Sequence, residues 1–375
     1  MPGTRAPGGP GLEVRVHGED ERYIREAIAL ARSAPFSSPN PQVGAVLVRA
    51  GEVVARAAHR GAGTDHAERA ALAGADARGA TLYVNLEPCA HHGRTPPCAP
   101  AVADAGVVRV VSALEDPDPR VAGRGHALLR RRGVEVTTGV LEDEARRINA
   151  PYLHHRATGR PLVTLKLALT LDGYAAAPPG ANRRITGPEA LRDVHGRRAR
   201  VDAILVGAGT VLADDPRLTA RGVDTTRQPA RVFVDASGRV PATRALFAPG
   251  TVIAASVPTV PHEPQIAWKE AGAEVLLLPV ASEGVDLGCL LDALGDRGFL
   301  EVYCEGGPAL ATSLLRAALV DRLELYYGPV LAGGGAEAAG RIGDLGIDSL
   351  AGARRWVTLD SVRLGDDVKI VLGRP

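Results

Sequence analysis

Two cysteines and a histidine carry the chemistry that the first half of this sequence can perform. The stretch LEPCAHHGRTPPCAP, residues 86–100, contains Cys89 and Cys98, and GTDHAERAAL contains His66. Four cysteines in 375 residues are too few for a disulfide framework, so we interpret this close pair as metal ligands. Zinc catalysis needs three protein ligands and one open position, and imidazole and thiolate suit the ion. The sequence therefore predicts one zinc ion per chain, held by these three residues.

Glu68, two residues after His66, is predicted to be the catalytic acid–base group, because an open zinc site needs a carboxylate to move protons between water and the leaving atom. On a regular helix, residues i and i+2 point about 200° apart. Both side chains can therefore face one ion only at an irregular helix start. A structural zinc with four protein ligands, completed by His91 or His92, is the alternative, but Glu68 and the nine-residue cysteine spacing favour the open site.

Each cysteine follows a proline, in EPC and PPC, and proline is favoured in the first turn of a helix. There a thiol gains from the partial positive charge of free backbone N–H groups. Both thiols are therefore expected to ionise at helix starts.

The elements that position these residues form the first of two predicted domains, since 375 residues exceed one ordinary core. Residues 1–17 are rich in glycine and proline and are predicted to be a flexible N-terminal tail. Helical and strand patterns then alternate over 18–150, which indicates an α/β unit with a mostly parallel sheet. The polar stretch NAPYLHHRATGRP contains the predicted linker, 151–161.

The second predicted domain, 162–375, begins with PLVTLKLALTLDG. Its alternation predicts a strand with one apolar face, formed by Val163, Leu165, Leu167, Leu169 and Leu171. Six more strand patterns follow, and RWVTLDSVRLGDDVKIVLG predicts a terminal hairpin around 365–366.

Composition narrows the range of partners. Lys and Arg total 44 against 43 Asp and Glu, and aromatic residues make up 3%, which disfavours a nucleic-acid binder. The sequence shows neither an apolar run of about 20 residues nor the apolar centre of a secretory signal. We therefore expect a cytoplasmic enzyme that acts on a small molecule.

The combination HAE … EPCAHHGRTPPC resembles the zinc-dependent cytidine-deaminase superfamily. Eight residues separate the cysteines where nucleoside and nucleic-acid deaminases have two, and this longer loop is similar to that of the pyrimidine deaminase of riboflavin biosynthesis. SSPNPQVGAVLV and EDPDPRVAGRGHALLRRRGVEV look like the same family. The resemblance implies substrate contacts at Asn40, His59, His91 and Arg94.

The second half lacks the GxGxxG pattern of a Rossmann domain. Instead, small residues follow two predicted strands, at Gly207, Gly209 and Thr210 and at 306–308. Such residues let backbone N–H groups approach a phosphate, although they also serve ordinary turns. Arg198 and Arg221 are candidates to grip a phosphate through paired N–H groups.

LKLALTLDG, ITGPEALRD, VGAGTVLADDPRLTAR and EGGPALATSLL resemble the reductase half of the bifunctional riboflavin-biosynthesis enzymes. The implied fold class is an N-terminal cytidine-deaminase-like α/β/α domain plus a C-terminal dihydrofolate-reductase-like α/β domain. The implied NADPH contacts are Ala168, Arg184, Thr210, Asp214, Ala236, Gly307, Pro308, Ala309, Leu310, Ala311, Thr312 and Ser313. The implied substrate contacts are Asn182, Arg198, Leu218, Arg221 and Glu305. Three positions depart from the bacterial pattern: Arg184 replaces a tryptophan, Ala236 a serine and Asn85 a threonine.

These resemblances imply two successive reactions. The first domain deaminates 2,5-diamino-6-(5-phosphoribosylamino)pyrimidin-4(3H)-one with zinc, and the second reduces the ribosyl side chain to ribityl with NADPH. A homodimer or higher homo-oligomer is a family expectation. The alternatives are a pathway-specific homologue acting on a related aminopyrimidine, a deaminase of tRNA or single-stranded DNA, and a zinc-stabilised binding module without catalysis.

Overall fold

The computed structural model describes residues 18–92, 95–118, 122–175, 184–225, 227–282, 284–333 and 340–375. The chain divides into two compact units, Met1–Asn149 and Ala150–Pro375. The predicted N-terminal tail, 1–17, lies outside the described residues.

The first unit alternates helices and strands as the sequence patterns indicate. Its elements are α1 (Gly18–Ser33), β1 (Gly44–Arg49), β2 (Glu52–Ala58), α2 (Ala67–Leu72), β3 (Thr81–Val84), α3 (Cys98–Asp104), β4 (Arg109–Ser112), α4 (Arg124–Arg131), β5 (Glu135–Thr138) and the start of α5 (Glu142–Thr158).

The five strands of this unit form one sheet in the order β2-β1-β3-β4-β5. Strands β3, β4 and β5 are parallel, whereas β1 runs antiparallel to both β2 and β3. Four of the five strands therefore run in one direction, as expected for a mostly parallel sheet, and β1 alone is reversed, which makes two of the four pairings antiparallel. The cause is the two-residue connection Ala50–Gly51, with φ of 51° and 80°, because so short a turn joins only antiparallel strands.

Helix α1 packs on this sheet through residues at helical spacing, among them Tyr23, Ile24 and Ala27, which are all buried. At its first turn, both carboxylate oxygens of Asp20 accept hydrogen bonds from Arg109 of β4, each at 2.8 Å. This paired contact fixes the start of the helix against the sheet.

The second unit contains the larger sheet. Its elements are β6 (Leu162–Leu169), α6 (Pro188–Arg198), β7 (Ala203–Gly207), α7 (Ala208–Asp214), β8 (Ala230–Val234), a 3₁₀ turn (Ala245–Phe247), β9 (Val252–Ser256), α8 (His262–Glu270), β10 (Glu274–Leu277), β11 (Val280–Ala281), β12 (Gly284–Val285), α9 (Leu287–Asp296), β13 (Glu301–Cys304), α10 (Pro308–Arg316), β14 (Arg322–Tyr327), β15 (Val357–Leu364) and β16 (Asp367–Gly373).

Nine of these strands form one sheet in the order β10-β9-β8-β7-β13-β6-β14-β16-β15. All pairings from β10 to β14 are parallel, and β16 is antiparallel to β14 and to β15, as the predicted terminal hairpin requires. The carboxyl ends of β7, β8 and β13 therefore meet at one edge of the sheet. Ligands of open α/β sheets bind outside such an edge.

Strand β6 matches its predicted apolar face except at one end. Val163, Leu165, Leu167 and Leu169 are buried, but Leu171 is 60% exposed. The chain turns directly after Leu169, where the N–H of residue 173 donates to the carbonyl of residue 170 at 3.0 Å. The alternation of apolar and polar residues therefore continues to Leu171, which lies two residues beyond the end of β6.

The segment predicted as an irregular linker, 151–161, is helical up to Thr158, because α5 continues through Pro151. A proline removes one backbone hydrogen bond, but the turn that follows it is held by tertiary contacts. Tyr152 is buried, and His155 Nε2 lies 3.1 Å from the carbonyl oxygen of Gly295. These contacts, which no local sequence pattern reveals, keep the segment helical.

Across the described ranges, no helix is both long enough and apolar enough to cross a membrane.

Candidate functional site

His66, Cys89 and Cys98 come together in the first unit, with one potential ligand atom of each lying within 4.8 Å of the others. His66 Nδ1 is 3.6 Å from Cys89 Sγ and 3.3 Å from Cys98 Sγ. A tetrahedral site with Zn–N of about 2.1 Å and Zn–S of about 2.3 Å places nitrogen and sulfur about 3.6 Å apart. The donor set and its spacing therefore fit a zinc ion.

Cys98 is the first residue of α3, as its preceding proline indicates. Cys89 is not in a helix, contrary to expectation; it lies in the irregular segment between β3 and α3. Its sulfur instead accepts the backbone N–H of Cys98 at 3.4 Å. A hydrogen bond from the Cys98 thiol lowers the pKa of Cys89 to about 4, against the opposing effect of burial.

Glu68 faces the same place because α2 begins irregularly. His66 precedes the helix with extended backbone, φ −65° and ψ 155°, and the helix starts at Ala67. The regular angular offset between positions i and i+2 therefore does not apply. This irregular helix start is the geometry that we expected if His66 and Glu68 share a site.

Glu68 is buried, with 3% of the residue exposed. Burial, followed by the nearby charge of Cys89, raises the pKa of Glu68 to about 7, and its other neighbours include His66 and Cys98. The group is thus a buried carboxyl that borders all three potential metal ligands.

A fourth protein ligand is not found in the part of the chain that the structure describes: neither His91 nor His92 belongs to the group. His66 Nε2 lies 3.0 Å from Thr95 Oγ1, and this outer contact orients the ring so that Nδ1 faces the sulfurs. Sequence reasoning missed Thr95, although its place between the cysteines was a usable signal. The arrangement favours the open site over the four-ligand alternative.

Two predicted substrate contacts are linked to this group. His59 Nδ1 lies 3.1 Å from the carbonyl oxygen of Asp65, which can only accept, so Nδ1 carries the proton. Nε2 then accepts from Asn40 Nδ2 at 2.9 Å. Burial lowers the pKa of His59, and its ring meets that of His66 edge-on at 5.5 Å. Asn40 and His59 therefore border the metal ligands.

His91 and Arg94 complete the predicted set in the loop between the cysteines. His91 Nδ1 is buried without a hydrogen-bond partner among the described residues, which leaves a polar atom available to a ligand. Arg94 lies outside the described residues.

Glu87 anchors the segment that leads to Cys89. Its buried carboxylate accepts four backbone N–H groups, from residues 116, 123, 125 and 126, at 2.8–3.3 Å. It also groups with Glu115 and His126 as a possible metal cluster. Because both carboxylate oxygens of Glu87 are already occupied by backbone donors, we interpret this cluster as structural rather than as a second metal site.

Gly125→Ala is expected to destabilise the first unit by about 3 kcal/mol, since a Cβ at this position would lie 1.9 Å from the carbonyl oxygen of Pro88. Thermal unfolding together with zinc content measures this effect. Gly196→Ala in α6 is the control, because a Cβ there meets no atom within 4 Å. Equal melting temperatures for the Gly125→Ala variant and the wild type would contradict the packing described.

Asn85, which replaces a threonine of the bacterial pattern, serves the fold rather than the metal group. Its side-chain oxygen accepts from the N–H of Gly44 at 2.7 Å, and its nitrogen donates to the Gln42 carbonyl at 2.9 Å. Asn85 therefore positions the start of β1 and, through it, the loop that carries Asn40.

In the second unit, a cavity of about 590 Å³ opens at the carboxyl ends of β6, β7 and β13. A neighbouring cavity of about 550 Å³ shares Gly207, Gly209, Ala309 and Leu310 with it and extends toward the end of β8. The two form one trough beside the start of α10. A Cβ on Gly306 would lie 2.7 Å from Leu310 Cδ2 and 3.0 Å from its Cβ, so glycine allows the close approach of Leu310 at this part of the lining.

Most predicted NADPH contacts line this trough. The first cavity includes Ala168, Thr210, Asp214, Gly307, Pro308, Ala309 and Leu310, and the second includes Ala236, Ala309, Leu310 and Ser313.

Three members of the predicted set do not line it. Ala311 is fully buried, and the Thr312 hydroxyl donates to the Pro308 carbonyl and accepts from the Gly343 N–H. Both residues therefore lie on the side of α10 that faces the core. Arg184 is exposed and belongs to neither cavity lining.

Among the predicted substrate contacts, Arg198, Leu218 and Glu305 line the first cavity. Arg198 was expected to grip a phosphate, but its Nε and Nη2 donate to the two Glu305 carboxylate oxygens at 2.6 and 2.9 Å. In this structure the paired donors of Arg198 are therefore used by Glu305. Burial opposes ionisation of Glu305, yet the Arg198 guanidinium brings its pKa below the ordinary value.

Arg221 is exposed and is not a cavity-lining residue; its Nη1 donates to Thr219 Oγ1 at 2.7 Å. Partial burial, together with the charges of Arg198 and Arg217, lowers its pKa. This local excess of positive charge suits an anion. Asn182 lies outside the described residues.

Lys166 of β6 lines the first cavity and was missed by sequence reasoning. Burial lowers its pKa, while Glu305 and Glu324 act in the opposite direction. The signal was present in LKLALTLDG, where a lysine interrupts an otherwise apolar strand.

Comparison with known proteins gives matches for both units. Residues 17–114 match the family described as "Cytidine and deoxycytidylate deaminase zinc-binding region", and residues 161–370 match "RibD C-terminal domain". The chain is 41% identical to the riboflavin biosynthesis protein RibD of Escherichia coli (strain K12), over 93% of this chain and 98% of that protein. It is 39% identical to RibD of Aquifex aeolicus, over 95% and 98%.

Solved structures give the same result. Acinetobacter baumannii RibD (form 1) superposes with a TM-score of 0.84 at 36% identity, covering 95% of this chain and 99% of that one. A diaminohydroxyphosphoribosylaminopyrimidine deaminase/5-amino-6-(5-phosphoribosylamino)uracil reductase from Thermotoga maritima gives 0.82 at 31% identity, with the same coverage. These matches confirm the predicted fold class, and with the His66 group they confirm zinc and NADPH as the cofactors.

Proposed function

The chain belongs to the RibD family of bifunctional deaminase–reductases of riboflavin biosynthesis, and from that premise we propose which of its residues perform each step. The observation that carries the proposal is the convergence of His66, Cys89 and Cys98 beside the buried carboxyl of Glu68. The substrate is 2,5-diamino-6-(5-phosphoribosylamino)pyrimidin-4(3H)-one, the compound class to which the name of the Thermotoga maritima relative refers.

In the first unit, His66 Nδ1 and the thiolates of Cys89 and Cys98 would hold the zinc ion. When bound, zinc supplies a Lewis acid that makes water nucleophilic near neutral pH. Glu68 would accept the two protons of the attacking water in turn, and would deliver one to the ring nitrogen and the other to the amino group that leaves as ammonia. Its burial supports this role, because the carboxyl shares a site with the ligands and is shielded from bulk solvent.

Recognition of the pyrimidine falls to Asn40, His59, His91 and Arg94. The hydrogen bond from Asn40 to a neutral His59 fixes the orientation of both side chains before substrate arrives. Pre-oriented polar groups of this kind hold the reacting ring carbon in place without reorganisation.

In the second unit, the residues that line the trough would hold NADPH, and the cavity that contains Lys166, Arg198 and Glu305 would take its nicotinamide. When bound, NADPH would supply the hydride that reduces C1 of the open-chain ribosyl imine, with one proton added at the imine nitrogen, to give ribityl. The pair of Arg198 and Glu305 contacts the substrate as one hydrogen-bonded unit. Arg221 binds the distal phosphate, supported by the nearby charge of Arg217.

The protein acts in the cytoplasm as a homodimer or higher homo-oligomer and does not act on nucleic acid. The near-neutral charge of the chain, with 44 basic and 43 acidic residues, supports the proposal that it does not act on nucleic acid. Binding to a phosphate backbone relies on a basic surface. Size-exclusion chromatography with light scattering measures the oligomeric state.

NADPH is expected to be consumed with the deaminated compound and not with the diamino compound. The test follows ammonia release and NADPH absorbance separately, with each compound supplied to the purified full-length chain. A lag in NADPH oxidation that matches ammonia release is expected when the diamino compound is supplied to the wild type. Steady NADPH oxidation without ammonia release would contradict the proposed order.

A further inference from the structure

The second cavity of the trough, whose lining does not include Lys166 or Arg198, carries a separate set of polar side chains. The second cavity is lined by Ser237 and Arg239, which follow β8, and by Ser313 and Arg316 on α10. Because this cavity shares four lining residues with the first, a dinucleotide whose nicotinamide lies beside Glu305 can extend its other nucleoside into it. This step rests on the proposed function of the second unit.

Arg239 is held in place by a chain of contacts behind it. Asp235 is 2% exposed, and its carboxylate accepts the N–H groups of residues 237, 238 and 240 and the Ser237 hydroxyl. The Ser237 oxygen in turn accepts from Arg239 Nε at 2.9 Å. The guanidinium is therefore oriented through its Nε, and within the described residues its two terminal amino groups have no hydrogen-bond partner.

The acidic side chains of this cavity do not oppose an anion. The Asp235 carboxylate is turned into its own loop, and Asp286 caps α9 by accepting the N–H of Cys289 at 3.0 Å. Arg239 and Arg316 are both exposed and are the two cationic residues of the cavity lining. Arg316 is engaged on α10, where its Nη2 donates to the Asp344 carbonyl at 2.5 Å.

We propose that Arg239, oriented by Ser237, binds the 2′-phosphate of NADPH and sets the preference of this enzyme for NADPH over NADH. The two cofactors differ by that phosphate alone, and two parallel N–H donors on a planar guanidinium match phosphate oxygens. Ala236, where the bacterial pattern has a serine, offers no hydroxyl, and Ser237 places one at the next residue. The preference therefore depends on the pair of Ser237 and Arg239.

The test compares Arg239→Gln with wild type in the full-length chain by two readouts. The first is calorimetric binding of 2′,5′-ADP and of 5′-AMP, which differ by the same phosphate and need no turnover. The second is the ratio of kcat/KM for NADPH and NADH with the deaminated substrate. Arg239→Gln is expected to weaken 2′,5′-ADP binding by more than about tenfold, as expected for loss of a charged hydrogen-bonding pair, and to leave 5′-AMP binding unchanged. The ratio of kcat/KM for NADPH to kcat/KM for NADH is expected to fall by the same factor.

Three further variants sharpen the test. Arg239→Lys keeps the charge without the planar fork and is expected to recover part of the 2′,5′-ADP affinity. Arg363→Gln is the matched control, because this exposed arginine of β15 pairs with Asp366 and lies outside the trough lining, and it is expected to leave both readouts unchanged. Arg316→Gln is expected to change the ratio by less than about twofold.

Equal loss of 2′,5′-ADP and 5′-AMP binding in Arg239→Gln would overturn the inference while leaving the cofactor trough intact. A collapse of the NADPH/NADH ratio in Arg316→Gln but not in Arg239→Gln would also overturn it. Failure of the wild type to bind NADP⁺ at all would instead overturn the proposed function of the second unit, and this inference with it.

Discussion

Glu68→Gln is expected to reduce ammonia release by about 1,000-fold, within the range that loss of a positioned acid–base group produces, while zinc stays bound at one ion per chain. Glutamine has nearly the same shape as glutamate, so the buried position remains filled and the ligands are untouched. It cannot take a proton from water or return one to the departing nitrogen. Ammonia release and zinc content of the same sample are the measurements.

The matched control for this change is Glu52→Gln, an exposed carboxylate on β2 in the same unit. It is expected to leave both measurements unchanged. Retained ammonia release in Glu68→Gln would show that the carboxyl is not the proton carrier and would contradict the role proposed for Glu68. Loss of zinc along with activity would show instead that Glu68 supports the ligands.

Cys98→Ala is expected to remove zinc and to reduce ammonia release by more than about 100-fold, since loss of an outer partner of a metal ligand alone costs about 10- to 100-fold. Reduction of the deaminated compound by NADPH is expected to continue at the wild-type rate. The reason is that the three ligands belong to the first unit, whereas the residues of the NADPH trough belong to the second. Zinc analysis and the two separate assays measure these effects.

Cys289→Ala provides the control for loss of a thiol, because this half-buried cysteine lies in α9 of the second unit. It is expected to retain zinc and ammonia release. Stoichiometric zinc in Cys98→Ala would contradict the assigned ligand set. Loss of NADPH turnover in that variant would contradict the assignment of the two reactions to separate groups of residues.

Much of the metal group was predictable because its signals are local. Histidine and cysteine are the usual ligands of zinc, so His66, Cys89 and Cys98 could be recognised from their residue types. The need for an irregular start of α2 follows from the spacing of His66 and Glu68 on a helix. The extended backbone of His66 supplies that start. The position of Cys89 outside a helix was not predictable, because a preceding proline is compatible with helix starts and with extended segments alike.

Residues whose roles depend on distant partners were beyond sequence reasoning. Arg198 appears in the sequence as a free cation, yet Glu305, 107 residues away, takes its paired donors. Residues 151–158 appear as a linker because Pro151 interrupts them, yet contacts such as that of His155 with Gly295 keep them helical. In both cases tertiary contacts outweigh local propensity.

The predicted NADPH contacts of α10 lie on two sides of that helix. The run from Gly307 to Ser313 was assigned to NADPH as a block, although a helix turns successive residues away from any one surface. Ala309, Leu310 and Ser313 line the trough, whereas Ala311 and Thr312 face the core. A helical wheel of the segment that begins at Pro308 would have separated the residues that face the trough from those that face the core.

X-ray absorption at the zinc edge of the purified full-length protein tests the central claim most directly. The account predicts one zinc per chain with two sulfur ligands at about 2.3 Å and two lighter ligands at about 2.0–2.1 Å, one an imidazole and the other a solvent molecule. A spectrum that shows a second imidazole or a third sulfur would mean that protein side chains fill the fourth position, and would contradict the proposed deaminase chemistry.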